Sequence, residues 1–400
     1  MTIALTPTLS RRTFLSTAGR AVLGVAGAAA LASCSDRSSA PPFDWTDQSK
    51  AGVLDFANWP YYIDRTSSND HPSLDAFTDR TGIRVNYSRP IRDDAEFLDR
   101  IRPDLEAGRP TGYDLVVITN GPQFSALMRE DWAVPLDHSY LPNFSQYASD
   151  LVRNPPWDPS NRFSVAWQSG VTGIAYRPEA VRALGRKPDS VLDLWNRSLA
   201  RRVGMMSDLM DLGSTALLAI GVEPESSGPD DWTAAAEFLE RQHDEGIVRA
   251  YYDQSYLHAL QSGDTWISQA WSGDIFQARR QGHRELEFVV PSEGAVFWTD
   301  NLLIPAHSRH PVDALIYMND VYRPQTAAMI ARSVGYVTPV PDARTILRGD
   351  PQGATLARSS LVFPSTDSIG RTSAFKAYPT FRTVEAERAW QTTFRAVLAL

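Results

Sequence analysis

Four aromatic residues and three aspartates in this sequence are of the types that hold a small cation: Trp59, Tyr62, Trp271 and Trp298, with Asp208, Asp211 and Asp300. A ring face attracts a cation through its quadrupole, at roughly 0.5–2 kcal/mol depending on desolvation. A carboxylate pairs with an ammonium group by charge-assisted hydrogen bonds. Together they suit an elongated di- or polycation, its apolar stem between rings and its amino ends against acids. An anion is disfavoured, because no Arg or Lys falls at these positions.

The same residues have ordinary structural uses. Asp208 lies three residues before Asp211 and ahead of the Gly213–Gly221 stretch, a place from which it would cap a helix, with Asp211 in the first turn. Trp271 and Trp298 suit core packing, where most tryptophans are largely buried. Asp300 stands in an apolar stretch, where an acid needs a partner. Tyr61 and Tyr62 adjoin, and neighbours on a strand point to opposite faces. Only Tyr62 is therefore expected to meet a ligand.

The elements that must position these residues alternate short apolar runs with amphipathic stretches. Residues 53–57 read as a strand, ended by Asn58-Trp59-Pro60; residues 71–80 have helical spacing and Gly82 closes them. A strand at 83–87, a helix from 93 to about 106 and a strand at 113–118 complete a β-α-β-α-β order. That order argues for a parallel sheet with helices on its faces. Further strands are predicted at 171–176, 203–206, 266–271, 287–290 and 297–304, and helices at 214–220, 232–244, 311–322 and 324–334. The fold class expected is α/β, with two lobes and more than one crossover between them. In open α/β sheets, ligands bind beyond the carboxyl ends of strands. Trp59, Tyr62, Thr119, Asn120, Ser207, Asp208, Asp211 and Trp271 fall at such ends, with Trp298 and Asp300 in a crossover segment.

The N-terminus reads as an address. Ser10-Arg11-Arg12-Thr13-Phe14-Leu15 precedes an apolar stretch from Ala21 to Leu31, the order of a secretory signal, and the Arg pair fits the twin-arginine variety. The stretch is shorter than the roughly 20 apolar residues that span a bilayer. It ends in Leu31-Ala32-Ser33-Cys34, which resembles the lipobox of bacterial lipoproteins, so residues 1–33 are expected to be cleaved and Cys34 lipidated. Residues 34–50, rich in Ser, Pro and Asp, read as a flexible tether. Cys34 is the only cysteine of the 400 residues, which leaves no intramolecular disulfide. Residues 1–33 hold three arginines and no acid, so their loss takes the net charge from −8 to −11. Such an acidic protein is a poor nucleic-acid binder, because phosphate contacts demand a basic patch. Nothing calls for a cofactor, and a monomer is expected.

Six segments carry a resemblance: Leu54-Asp55-Phe56-Ala57-Asn58-Trp59-Pro60-Tyr61-Tyr62-Ile63, Thr81-Gly82-Ile83-Arg84-Val85, Tyr113-Asp114-Leu115-Val116-Val117, Ala270-Trp271-Ser272-Gly273, Pro291 to Asp300, and Val334-Gly335-Tyr336-Val337-Thr338-Pro339. Across nearly the whole chain after the signal they resemble the periplasmic spermidine/putrescine-binding proteins of ABC transporters. Glu293-Gly294 with Phe297-Trp298-Thr299-Asp300 is the most specific stretch. The resemblance implies a two-lobed periplasmic-binding-protein-like (type II) fold with hinge-linked lobes, which closes on a polyamine and delivers it to a permease. The lobes would be 51–160 with about 300–340, and about 161–299 with 341–400. It implies that Trp59 and Tyr62 form a first aromatic wall and that Thr119 supplies a hydroxyl. Asp208 and Asp211 would grip an amino end. Trp271, Trp298, Asp300 and Tyr336 would form the second wall and the acid between the lobes. Pro60 stands where the family has a small hydroxyl residue, and Gly121 or its neighbour where an aromatic is usual. The family's C-terminal glutamine has no match in Ser359–Ala377.

Other readings stay open on the residues alone. The seven histidines have no metal-ligand spacing, and no nucleophile elbow is present, which argues against an enzyme. A carboxylate pair such as Asp211 and Asp300 is also what a glycoside hydrolase needs. The same fold also takes thiamine-like cations, sugars or iron, the last favoured by adjacent tyrosines such as Tyr61-Tyr62.

Overall fold

A computed structural model of the chain describes residues 43–351, 353–359, 362–363, 375–381 and 383–400. The signal, Cys34 and the first part of the tether lie outside the described residues.

Val53–Ala57 (β1), Pro72–Thr81 (α1), Arg84–Ser88 (β2), Asp94–Glu106 (α2) and Leu115–Thr119 (β3) follow the order expected. β1 runs parallel to both β2 and β3. Local chemistry sets the ends. Pro72 opens α1, and Gly82, at φ 70°, closes it in the left-handed conformation that suits glycine. The Asp93 side chain accepts the Glu96 N–H and caps α2.

Pro122–Arg129 (α3) and Pro142–Tyr147 (α4) lead to Ser164–Tyr176 (β4), thirteen residues long and buried throughout. The sequence marks only its second half as strand. Its first half carries Ser164, Gln168 and Ser169, which break any apolar run. Two of these are buried with partners: Ser164 Oγ donates to Asp158 Oδ2 at 2.7 Å, and the Ser169 and Thr299 hydroxyls lie 2.8 Å apart.

Next come Pro178–Leu184 (α5), Val203–Met206 (β5), Leu209–Ala219 (α6), Pro229–Asp244 (α7), Val248–Tyr252 (β6), Tyr256–Ser262 (α8), Ile267–Trp271 (β7) and Ser272–Arg280 (α9). Glu287–Val289 (β8), Ala295–Leu303 (β9), Pro311–Asp320 (α10), Pro324–Val334 (α11), Ala343–Gly349 (α12), Phe375–Lys376 (β10) and Val384–Leu398 (α13) complete the described strands and α-helices. The helix α6 begins at Leu209, earlier than predicted, because Asp208 caps it. α3, α4, α5, β6, α8, α9, α12, β10 and α13 were not predicted.

The sheet runs in the order β2-β1-β3-β9-β4-β7-β5-β6. β4 and β9 pair antiparallel from Ser164 opposite Leu303 to Thr172 opposite Val296. One end of β9 continues onto β3, and the opposite end of β4 onto β7. Two long central strands therefore join a parallel set, β1 to β3, to a second parallel set, β5 to β7. That is the two-lobed α/β arrangement with more than one crossover. On the first side α12 packs on α11 and α11 on α1; on the second, α13 packs on α6 and α7.

Candidate ligand-binding site

A cavity of about 390 Å³ opens where the carboxyl ends of both parallel sets meet, within the range of small-molecule sites. It gathers all nine predicted contact residues: Trp59, Tyr62, Thr119, Asp208, Asp211, Trp271, Trp298, Asp300 and Tyr336.

The aromatics form one continuous wall. Tyr62 meets Tyr336 edge-on at 5.2 Å, Tyr336 meets Trp298 at 5.5 Å, and Trp298 meets Trp271 at 6.4 Å. These separations suit edge-to-face and tilted packing, which favours ring over ring by electrostatics as well as burial. Two glycines make room for it. Gly170 lies opposite Trp298 across β4 and β9, and a Cβ there would overlap the indole. A Cβ at Gly273 would overlap the Tyr336 ring in the same way. Trp298 is then fixed by its N–H, which donates to Thr172 Oγ1 at 3.0 Å.

The acids divide by their commitments. Asp208 Oδ1 accepts the Asp211 N–H at 2.9 Å, so the capping role read from the sequence is real and leaves its second oxygen for other use. Asp211 accepts from the Trp271 indole and from the Tyr378 hydroxyl, both at 2.7 Å. Asp300 Oδ1 accepts the Thr119 hydroxyl at 2.6 Å. The Tyr62 hydroxyl, beside Asp300, has no hydrogen-bond partner of normal geometry among the described residues. Burial pushes Asp300 up to about 6, against the pull of the Thr119 hydroxyl. Burial raises Asp208 as well, with the charge of Asp211 adding to it, and burial raises Asp211 against three donors. A cation among these groups would favour their ionised forms.

Four features depart from the sequence reading. Residues 59–62 lie past the end of β1 rather than on a strand, so strand alternation does not separate Tyr61 from Tyr62. Instead Tyr61 takes φ 59° and is 58% exposed, whereas Tyr62 is buried; both line the cavity. Arginines do approach the site: Arg92 and Arg395 line it, against seven aspartates. They escape a search of strand ends because Arg92 precedes α2 and Arg395 sits on α13. Asp94, Asp274, Tyr378 and Gln391 also line the cavity and were missed. Asp274, on α9, receives the hydroxyls of Tyr256 at 3.0 Å and Tyr336 at 2.8 Å, so it braces the wall from behind. Its position after Ala270-Trp271-Ser272-Gly273 was the available signal. Most of Ser359–Ala377, where the glutamine was sought, lies outside the described residues.

Among the described residues, Asp55, Asp114 and His310 form one cluster of metal-ligating types. Asp114 there accepts from Ser308 Oγ, from three backbone N–H groups and from His310 Nδ1. This carboxylate ties β1 to the segment entering α10, and the cluster lies outside the cavity lining.

The family model of bacterial extracellular solute-binding proteins matches residues 73–381. The chain belongs to that family. A spermidine/putrescine-binding periplasmic protein of Salmonella typhimurium is 28% identical over 319 residues, which cover 80% of this chain and 85% of that protein. A putrescine-binding periplasmic protein of Escherichia coli is 30% identical over 304 residues, 71% of this chain and 77% of that one. The spermidine/putrescine ABC transporter substrate-binding protein of Streptococcus pneumoniae superposes with a TM-score of 0.70 at 22% identity, covering 87% of this chain and 98% of its own. The fold of this family member is thus the two-lobed solute-binding one. No helix among the described residues is long and apolar enough to cross a membrane.

Proposed function

We propose that this chain captures polyamine cations of the spermidine/putrescine type between its lobes and hands them, unaltered, to the permease of an ABC transporter. One observation carries the reading. Asp208, Asp211 and Asp300 share a single cavity with the Tyr62–Tyr336–Trp298–Trp271 wall. Acids for amino ends and rings for a methylene stem are what a polyamine requires. The relatives named for spermidine and putrescine support it.

The lobes proposed are 51–160 with about 300–340, and about 161–299 with 341–400, except that α12 moves with the first lobe because it packs on α11. Closure bends the chain at the two long strands β4 and β9 and brings the lobes onto the ligand. The chain works as a monomer in the periplasm or on the outer face of the membrane. It is exported by the twin-arginine route, cut after residue 33 and tethered by lipid at Cys34, with residues 34–50 as a leash. It performs no catalysis in this reading, as befits a member of a solute-binding family.

A thermal-shift screen tests this with spermidine, spermine, putrescine, thiamine and maltose. A ligand that binds only the folded state raises the melting temperature by mass action. Polyamines are expected to raise it; a shift with maltose alone would refute the reading.

A further inference from the structure

Asp94 begins α2 directly after the capping Asp93. Its Oδ2 accepts the Thr119 backbone N–H at 3.1 Å. Its Oδ1 is buried and has no hydrogen-bond partner among the described residues. The same Thr119 donates its hydroxyl to Asp300 Oδ1 at 2.6 Å. Two carboxylates from different elements, α2 and β9, therefore flank one residue at the end of β3, and both line the cavity. The other buried acids of the site differ: Asp211 and Asp274 each have at least two side-chain donors. Among the described residues of the cavity, Asp94 Oδ1 is the fully buried carboxylate oxygen that still lacks a donor, and an ammonium nitrogen offers up to three.

We propose that Asp94 is a further ligand-binding residue, which together with Asp300 encloses one ammonium nitrogen of the bound cation. This rests on the polyamine reading above. A first-turn acid at a helix N-terminus has a structural use, favourable contact with the helix dipole. That use accounts for Oδ2 and the Thr119 N–H, but not for a buried oxygen aimed at no donor. A cation also relieves the electrostatics. Burial, the charge of Asp300 from β9 and the charge of Asp93 from the helix cap all push Asp94 well above the carboxylate range, against the Thr119 hydrogen bonds from β3. An ammonium group between the carboxylates favours their ionisation, so its arrival releases protons to the solvent.

The Asp94→Asn variant separates the two uses. Its amide oxygen still accepts the Thr119 N–H, so the helix start is kept while the charge is lost. Glu96→Gln, an exposed position on the same helix, controls for charge at a distance. Spermidine is titrated by calorimetry at neutral pH in two buffers of different ionisation enthalpy. Asp94→Asn is expected to bind about tenfold or more weakly and to release fewer protons, with Glu96→Gln like the parent. Parent-like affinity and proton release in Asp94→Asn would overturn the proposal while leaving the polyamine reading intact. Failure of the parent itself to bind any polyamine would overturn that reading, and the proposal with it.

Discussion

The Trp271 indole N–H donates to Asp211 Oδ2 at 2.7 Å, so a ring of the wall and an acid of the site are held as one unit. The Tyr378 hydroxyl occupies Asp211 Oδ1 from a segment far along the chain. Charge-assisted bonds of this length are the stronger kind. Asp211 is thereby fixed in place, and Asp208 beside it keeps the oxygen with fewer commitments.

Replacing Asp300 or Trp298 with Ala is expected to weaken polyamine binding by at least about 2 kcal/mol, because each strands a buried ammonium or its stem. Calorimetry measures this directly. Parent-like affinity in either variant would remove that residue from the site.

The pH dependence of Asp300 has a definite sign. Its folded value of about 6 lies above the reference 3.8, so between the two the folded state binds more protons than the unfolded. Unliganded stability from this group is therefore full below the lower value and lost as pH rises through the upper, on the order of 3 kcal/mol. Asp94, Asp211 and Asp274 are raised in the same direction by burial. Cation binding needs ionised acids, so affinity is expected to rise across the same window. Melting curves at about pH 5 and about pH 8 should show a larger ligand-induced shift at the higher pH. Asp300→Asn should flatten that difference; a shift larger at low pH would contradict the account.

Gly170 is expected to resist any side chain. Gly170→Ala must displace the Trp298 indole, and overpacking of this kind costs typically about 1–3 kcal/mol. Thermal denaturation should report the lost stability and calorimetry a weakened ligand. A variant with both unchanged would show that the indole is not held as described.

The tether is testable in cells. Cys34→Ser is expected to move the protein from the membrane fraction to the soluble periplasmic fraction. An unchanged distribution would argue against lipid at Cys34.

Much of the site was legible before the fold. The ends of β1, β3, β5 and β7 follow from short apolar runs, and the residues just past them are the ones the cavity gathers. What escaped depends on packing between distant segments. The first half of β4 is hidden by buried Ser164, Gln168 and Ser169; the partners of Ser164 and Ser169, Asp158 and Thr299, lie outside the strand. α13 reaches the site because Trp390 packs where a Cβ at Gly213 of α6 would stand, a contact no local pattern announces. Asp94, Asp274 and Tyr378 gain meaning only from the Thr119, Tyr336 and Asp211 they touch. Asp208 shows the reverse case, since both of its readings describe it: one oxygen caps α6 while the residue lines the cavity.

A crystal structure of the protein with spermidine tests the central claim most directly. The account predicts an ammonium nitrogen within hydrogen-bond distance of Asp300, another end at Asp208, and the methylene stem against Trp298 and Tyr336. A ligand bound elsewhere, or one that leaves Asp300 and Trp298 untouched, would contradict it.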